Sequence, residues 1–240
     1  MLHAAFAALA LVTPTEDLAS LDNTTIHEKT GYAHDAATGE LVYVEHHSHL
    51  VVDGQTVGHE VRYTDPEGAL VARKQLDYRA NTLLPDFVLE DVRNGYVEGM
   101  ARRHGDPLVF CRKGREAELK IHEVDASHPL ADAGFDRLID GRWDDLLAGK
   151  TIKKDFLVPA LLDTVRFKIE KVREYEADGE QLVQFRMRAA NPLVRMLADP
   201  INVVYDARDR MLVEYHGVSN LRDANLKNYK VSIHFPMDER

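Results

Sequence analysis

The chain has 240 residues, 45% of them hydrophobic and 29% charged, with a formal net charge of −10. Such a composition belongs to a globular protein that can bury a core. The acidic balance excludes non-specific nucleic-acid binding, which needs a basic face to release counterions, and electrostatic attachment to an anionic membrane leaflet.

The chain begins MLHAAFAALALV. Its apolar run Ala4–Val12 is too short to cross a bilayer, which takes ~20 residues. It has the form of the apolar part of a secretory signal, with small residues at Ala8 and Ala10 suited to cleavage. Residues 1–20 are therefore expected to be a signal peptide and lead-in, and residues 21–240 a single exported domain. No Cys follows the run, so anchoring through a lipidated N-terminal Cys is not expected. Cys111 is the sole cysteine, which excludes an intrachain disulfide, and its setting LVFCRK reads as a buried strand position.

Strands follow. Glu40–Val52 and Thr56–Thr64 flank Asp53-Gly54, a two-residue hairpin turn signal. Counting outward from that turn puts Ser48 opposite His59. One face then carries Val42, Val44, His46, Ser48, Leu50, Val57, His59, Val61 and Tyr63 and reads as dry. The other carries Tyr43, Glu45, His47, His49, Val51, Glu60, Arg62 and Thr64 and reads as wet. Asp65-Pro66-Glu67-Gly68 is the next turn. Further strands are expected at Ala69–Tyr78, Asp86–Val92, Tyr96–Arg102, Pro107–Arg112 and Ala117–Val124.

Gly134–Gly149 is the one clear amphipathic helix. Phe135, Leu138, Ile139, Trp143, Leu146 and Leu147 recur at three- and four-residue steps and share a face. Asp132 is placed to cap its start, and Gly149 suits the left-handed residue after its last turn. Beyond it, Val165, Phe167 and Ile169, then Val183, Phe185 and Met187, then Tyr229, Val231, Ile233 and Phe235 alternate with polar residues as half-buried strands do. Asp178-Gly179 turns the first of these pairs. Asn191–Asp199 is expected to be a short helix, and Ile201–Asp206 with Met211–Gly217 another hairpin.

About a dozen strands at roughly 8–12-residue spacing predict an antiparallel β architecture. A lone apolar helix face must be buried against something, and a sheet is the only large partner. The fold expected is mainly β: a strongly curved antiparallel sheet, an open and incomplete β-barrel, with the amphipathic helix on its concave side.

That arrangement resembles the LolA/LolB bacterial lipoprotein carriers and, more closely, the uncharacterised periplasmic domains grouped with that fold. Three stretches carry the resemblance. They are Tyr63–Gly68 running into Ala72–Tyr78, Pro85–Phe87 followed by Asp91–Gly99, and Val204–Asp206 followed by Glu214–Asn220 and Lys227–Tyr229. The resemblance implies a hydrophobic cavity for acyl chains, a periplasmic location and no cofactor. It transfers no individual functional residue.

Several constellations bear on function. On the expected dry face, His46, Ser48, His59 and Tyr63 place polar groups among apolar ones, the composition of a small-molecule site. Phe135, Ile139 and Trp143 would line the same hollow from the helix, although Trp143 equally suits plain core. On the expected wet face, His47 and His49 with Glu60 opposite have the spacing of a two-His, one-carboxylate Zn²⁺ site, against the commoner reading of solvated histidines, and no metal is assigned. The chain lacks G-x-S-x-G, H-E-x-x-H, P-loop and G-x-G-x-x-G signatures. The expectation is thus a non-catalytic periplasmic binding protein for a lipid or other hydrophobic small molecule, with another envelope protein as a further partner. Two alternatives stand beside it. One is an enzyme using His46 and His59 as acid and base; the other is an envelope scaffold whose cavity is filled by its own side chains.

Overall fold

Period-two alternation of apolar and polar side chains builds fourteen strands in the computed structural model, which describes residues 23–124, 129–131, 134–191 and 199–236. The expected signal segment 1–20, Asp132 as helix cap and the body of the helix expected over Asn191–Asp199 lie outside the described residues. The first eight strands are β1 (Thr24–Asp35), β2 (Leu41–Val52), β3 (Gln55–Thr64), β4 (Leu70–Asp77), β5 (Asp86–Asp91), β6 (Tyr96–Arg103), β7 (Asp106–Arg112) and β8 (Lys120–Glu123). After the helical segment come β9 (Ile152–Val158), β10 (Asp163–Ala177), β11 (Glu180–Ala189), β12 (Ile201–Asp206), β13 (Leu212–Arg222) and β14 (Asn228–His234). Neither β1 nor β9 is among the strands expected from the sequence. The polar run of β1, TTIHEKTGYAHD, and the paired lysines of β9, IKKDFLV, blur the alternation that reveals the others.

All fourteen strands form one antiparallel sheet in the order β8-β7-β6-β5-β4-β3-β2-β1-β14-β13-β12-β11-β10-β9. Each half of the chain zips outward by hairpins, and the one long-range pairing, β1 with β14, joins the halves at the centre. The edges β8 and β9 do not pair with each other. Curvature brings them close all the same: Leu157 of β9 is buried in one cluster with Phe87, Met100 and Val109 of β5–β7. The passing chain at Leu130 and Ala131 covers the free side of β9. Leu130 N–H donates to Asp155 O (2.7 Å), Leu157 N–H to Leu130 O (2.7 Å) and Ala131 N–H to Leu83 O (3.1 Å). The result is the open, curved barrel that the sequence predicts, with one exposed edge protected against strand addition.

The expected single helix is two. Helix α1 (Gly134–Gly141) and helix α2 (Trp143–Leu147) meet at Arg142, whose backbone leaves helical geometry (φ −123°, ψ 19°). Gly141 precedes the break, and a helical glycine costs ~1 kcal/mol relative to alanine, so the helix parts at its weakest residue. The apolar stripe survives the break. Leu138, Ile139, Trp143 and Leu146 are buried against Ile169 of β10, Val183, Phe185 and Met187 of β11, and Val203 and Tyr205 of β12. Trp143 meets Phe185 edge-on at 5.4 Å and Tyr205 at 6.2 Å. Tyr205 OH donates to Asp136 Oδ1 (2.5 Å), which satisfies the one polar group of that ring. The helices thus pack on the inner face of the sheet.

Candidate functional site

The site is created by a slip in the β2–β3 ladder. Asp53 (φ 50°) and Gly54 (φ 75°) both take positive φ, as the expected two-residue hairpin turn requires. Val52 pairs with Gln55 and Val51 with Thr56, in the expected register. Leu50 then pairs with Gly58, so Val57 is an extra residue on β3, a β-bulge. Beyond it every pair is displaced by one. Because side chains alternate across a strand, a one-residue slip exchanges the faces of β2 relative to β3.

The expected dry face is corrected accordingly. Ser48 lies opposite Glu60 and His46 opposite Arg62, while His49 faces His59, His47 faces Val61 and Glu45 faces Tyr63. His46 and Ser48 are therefore on the outer face, away from His59 and Tyr63, and His46 Nε2 contacts Thr64 Oγ1 there at 3.2 Å. The sheet separates His46 from His59, so the two do not form an acid–base pair. The expected metal trio is corrected by the same slip: Glu60 faces out, and His59 joins His47 and His49 on the inner face.

What gathers inside is a chain of polar groups in apolar surroundings. Glu45 Oε2 lies 2.9 Å from His47 Nε2, and His47 Nδ1 lies 2.9 Å from His59 Nε2. A carboxylate only accepts, so His47 Nε2–H donates to Glu45 and its Nδ1 accepts from His59 Nε2–H. His59 Nδ1, buried and without a hydrogen-bond partner, ends the chain. His49 stacks on His59 with ring centroids 3.9 Å apart, and His47 stands 5.1 Å from His59. Phe235 closes the cluster edge-on to His47 at 5.6 Å, and its ring also carries Lys29 Nζ at 4.1 Å. Gly31 makes room for that ring, since a Cβ there would come within 2.5 Å of it. Lys29 Nζ reaches across the hollow to donate to Leu212 O (2.5 Å).

Burial dominates the electrostatics of the cluster. It pushes His49 down to about 3, helped by His47, Lys29, Arg137 and His27. It holds His59 well below the usual imidazole range, with His49, His47, Lys74 and Arg137 acting the same way. Both rings are neutral at ordinary pH, the form in which imidazole offers a lone pair to a ligand.

Above the cluster a cleft of about 670 Å³ opens at the hairpin end of the sheet. Its walls are Thr25 and His27 of β1, His49 and Val51 of β2, Thr56 of β3, and Met211 from the β12–β13 turn. The neighbouring Arg210 of that turn pairs with Asp140 of α1 at 3.0 Å and lies over the Trp143 ring at 5.4 Å, which ties the far wall to the helix. Of the helix residues expected to line a cavity, Ile139 and Trp143 are 1% and 4% exposed within the apolar cluster, and Phe135 packs at its edge. Tyr63 is on the inner face, edge-on to Tyr43 at 5.9 Å. His47, His49 and Glu45 are the site residues that the hairpin count put on the wrong face. The one signal that would have moved them is Gly58, since an isolated glycine inside a strand marks a bulge.

No protein-family model matches this chain, and no curated protein sequence matches it. Among solved structures it is similar to a beta-barrel-like protein of Domain of Unknown Function DUF1849 from Brucella abortus. The TM-score is 0.50 at 9% identity, covering 88% of this chain and 98% of that one. A domain named for outer membrane lipoprotein sorting, from Vibrio parahaemolyticus, also aligns over 89% of this chain and 83% of its own, at 9% identity and a TM-score of 0.28. The Brucella likeness shows the fold alone: a β-barrel-like sheet, as the sequence predicts.

Proposed function

We propose that the protein is an exported, non-catalytic binding protein of the periplasm that takes the apolar part of a lipid or small molecule into the cleft at the β2–β3 end. The observation that carries this reading is the cleft itself. Its volume of about 670 Å³ falls within the ~300–1,000 Å³ of ordinary ligand sites, and it sets the apolar side chains of Val51 and Met211 beside the imidazoles of His27 and His49. Each CH₂ taken from water there contributes ~0.8 kcal/mol. The binding place differs from the hollow beside the helix that the sequence suggests, because the helix face there is already covered by Phe185, Met187 and Tyr205. Export rests on the Ala4–Val12 run and is tested by fractionating cells that express the chain with and without residues 1–20.

The binding test is titration with a fluorescent fatty acid such as dansyl-undecanoic acid. Saturable binding that weakens at least tenfold in Val51→Asp, with the circular dichroism of the fold retained, supports the cleft. Equal binding by Val51→Asp overturns it. A second reading, the self-filled envelope scaffold, is favoured by the close packing of Trp143 against Phe185 and Tyr205. It predicts no saturable binding and no lipid carried through native mass spectrometry.

A further inference from the structure

We propose that His47, His49 and His59 form a binding site for a divalent transition metal of the imidazole-preferring kind, Zn²⁺ or Cu²⁺, with Glu45 orienting His47 from behind. One ring nitrogen from each histidine lies within 4.8 Å of the others. Two nitrogens on one tetrahedral Zn²⁺, each at ~2.0–2.1 Å, stand ~3.3–3.4 Å apart. His47 Nδ1 and His59 Nε2 are already 2.9 Å apart, so small side-chain rotations bring all three into range.

Three further observations point the same way. First, Glu45 Oε2 holds His47 Nε2 at 2.9 Å, which puts the His47 lone pair on Nδ1, aimed into the cluster toward His59 Nε2. A carboxylate behind a ligating imidazole is how metal sites set the tautomer and raise ligand basicity. Second, His59 Nδ1 is buried without a partner. Moving the His59 proton onto that nitrogen frees Nε2, and two lone pairs facing each other at 2.9 Å repel unless a cation lies between them. Third, imidazole sets with no thiolate and no direct carboxylate suit Zn²⁺ and Cu²⁺ and do not suit Mg²⁺ or Ca²⁺, which want oxygen.

The surroundings shape what such an ion would do. Lys29 and His27 on β1, Lys74 on β4 and Arg137 on α1 act electrostatically on the histidines. They favour an anion as the fourth ligand. That position has access to solvent, because His49 also lines the cleft. The metal site does not depend on the lipid reading, since an ion can bind whether or not a ligand enters above it.

The test uses the full mature chain, stripped with EDTA and titrated with Zn²⁺ by calorimetry. One equivalent should bind. His47→Gln and His59→Gln should each weaken it by at least tenfold, and Glu45→Gln by ~10–100-fold, as loss of a supporting carboxylate does elsewhere. His46→Ala, on the outer face, should leave it unchanged. No stoichiometric Zn²⁺, or equal affinity in His47→Gln and His59→Gln, overturns the site. Should those variants fail to fold by circular dichroism, electron paramagnetic resonance of Cu²⁺ on the unaltered chain decides. Superhyperfine splitting from imidazole nitrogens upholds the proposal; an oxygen-only signal or unbound Cu²⁺ refutes it. Failure here with retained fatty-acid binding separates this proposal from the cleft reading.

Discussion

Under the helices, the inner face of the sheet is covered with Phe185, Met187, Val203 and Tyr205, and the Tyr205 hydroxyl is bonded to Asp136. Along β1–β3 the same face carries Glu45, His47 and His59 hydrogen-bonded in series with a nitrogen left over, His49 stacked on His59, and Lys29 bonded to Leu212 O. The two regions share one sheet and one curvature and differ in what fills the concave side. The first is dry, interlocked and closed, so it contributes stability. The second buries polar groups at a cost and opens into a cleft, so it is where binding is available.

Trp143→Ala should break the contrast most sharply. It empties the centre of the dry region and should cost ~3–5 kcal/mol in urea denaturation. A loss below ~1 kcal/mol would mean that the helix is not core, and the division of the inner face would fall.

Acidification from neutral pH should act first on the polar region, before the paired surface carboxylates such as Asp145 and Asp155, whose values are lowered, take up protons. In metal-free protein His49 sits at about 3, against ~6.5 for an unfolded histidine. Its folded form therefore holds fewer protons than the unfolded chain between those values. Its contribution is fully present above pH ~6.5 and is lost as pH falls toward 3, at ~1.4 kcal/mol per unit, or ~2 kcal/mol by pH 5. His59 adds to the slope in the same direction. Unfolding measured across this range should show the decline, and His49→Gln should flatten it. An unchanged slope in that variant would show that His49 is not buried as described.

Tyr205→Phe removes the hydroxyl from Asp136 and should cost ~1 kcal/mol, with no effect on ligand or metal titrations. Smallest of all, His46→Ala should change stability by less than ~0.5 kcal/mol, as at most exposed positions. A large effect there would restore the register in which His46 faces inward.

The elements of the fold were largely legible. The Asp53-Gly54 turn, the strand limits of Ile201–Asp206 and the apolar stripe from Leu138 to Leu146 follow from turn chemistry and periodicity, which are local. The split at Arg142 needed only a glycine to be weighed against a continuous stripe. β1 escaped notice because half of its residues are polar on both faces, so no period stands out. The candidate site was less legible for a different reason. Both faces of Leu41–Val52 carry histidines, so composition does not choose between them, and a single unpaired residue at Val57 decides which three meet.

By itself the sequence determined an antiparallel β protein with one amphipathic helical segment, and hairpins at the right turns, because those depend on residues close together in the chain. Only the tertiary structure decided which face of β2 looks inward, that the helix face is covered by the protein's own rings, and that His59 completes a cluster with His47 and His49. These depend on ladder register and on packing between distant strands. A one-residue change in register reverses side-chain direction without altering any local pattern.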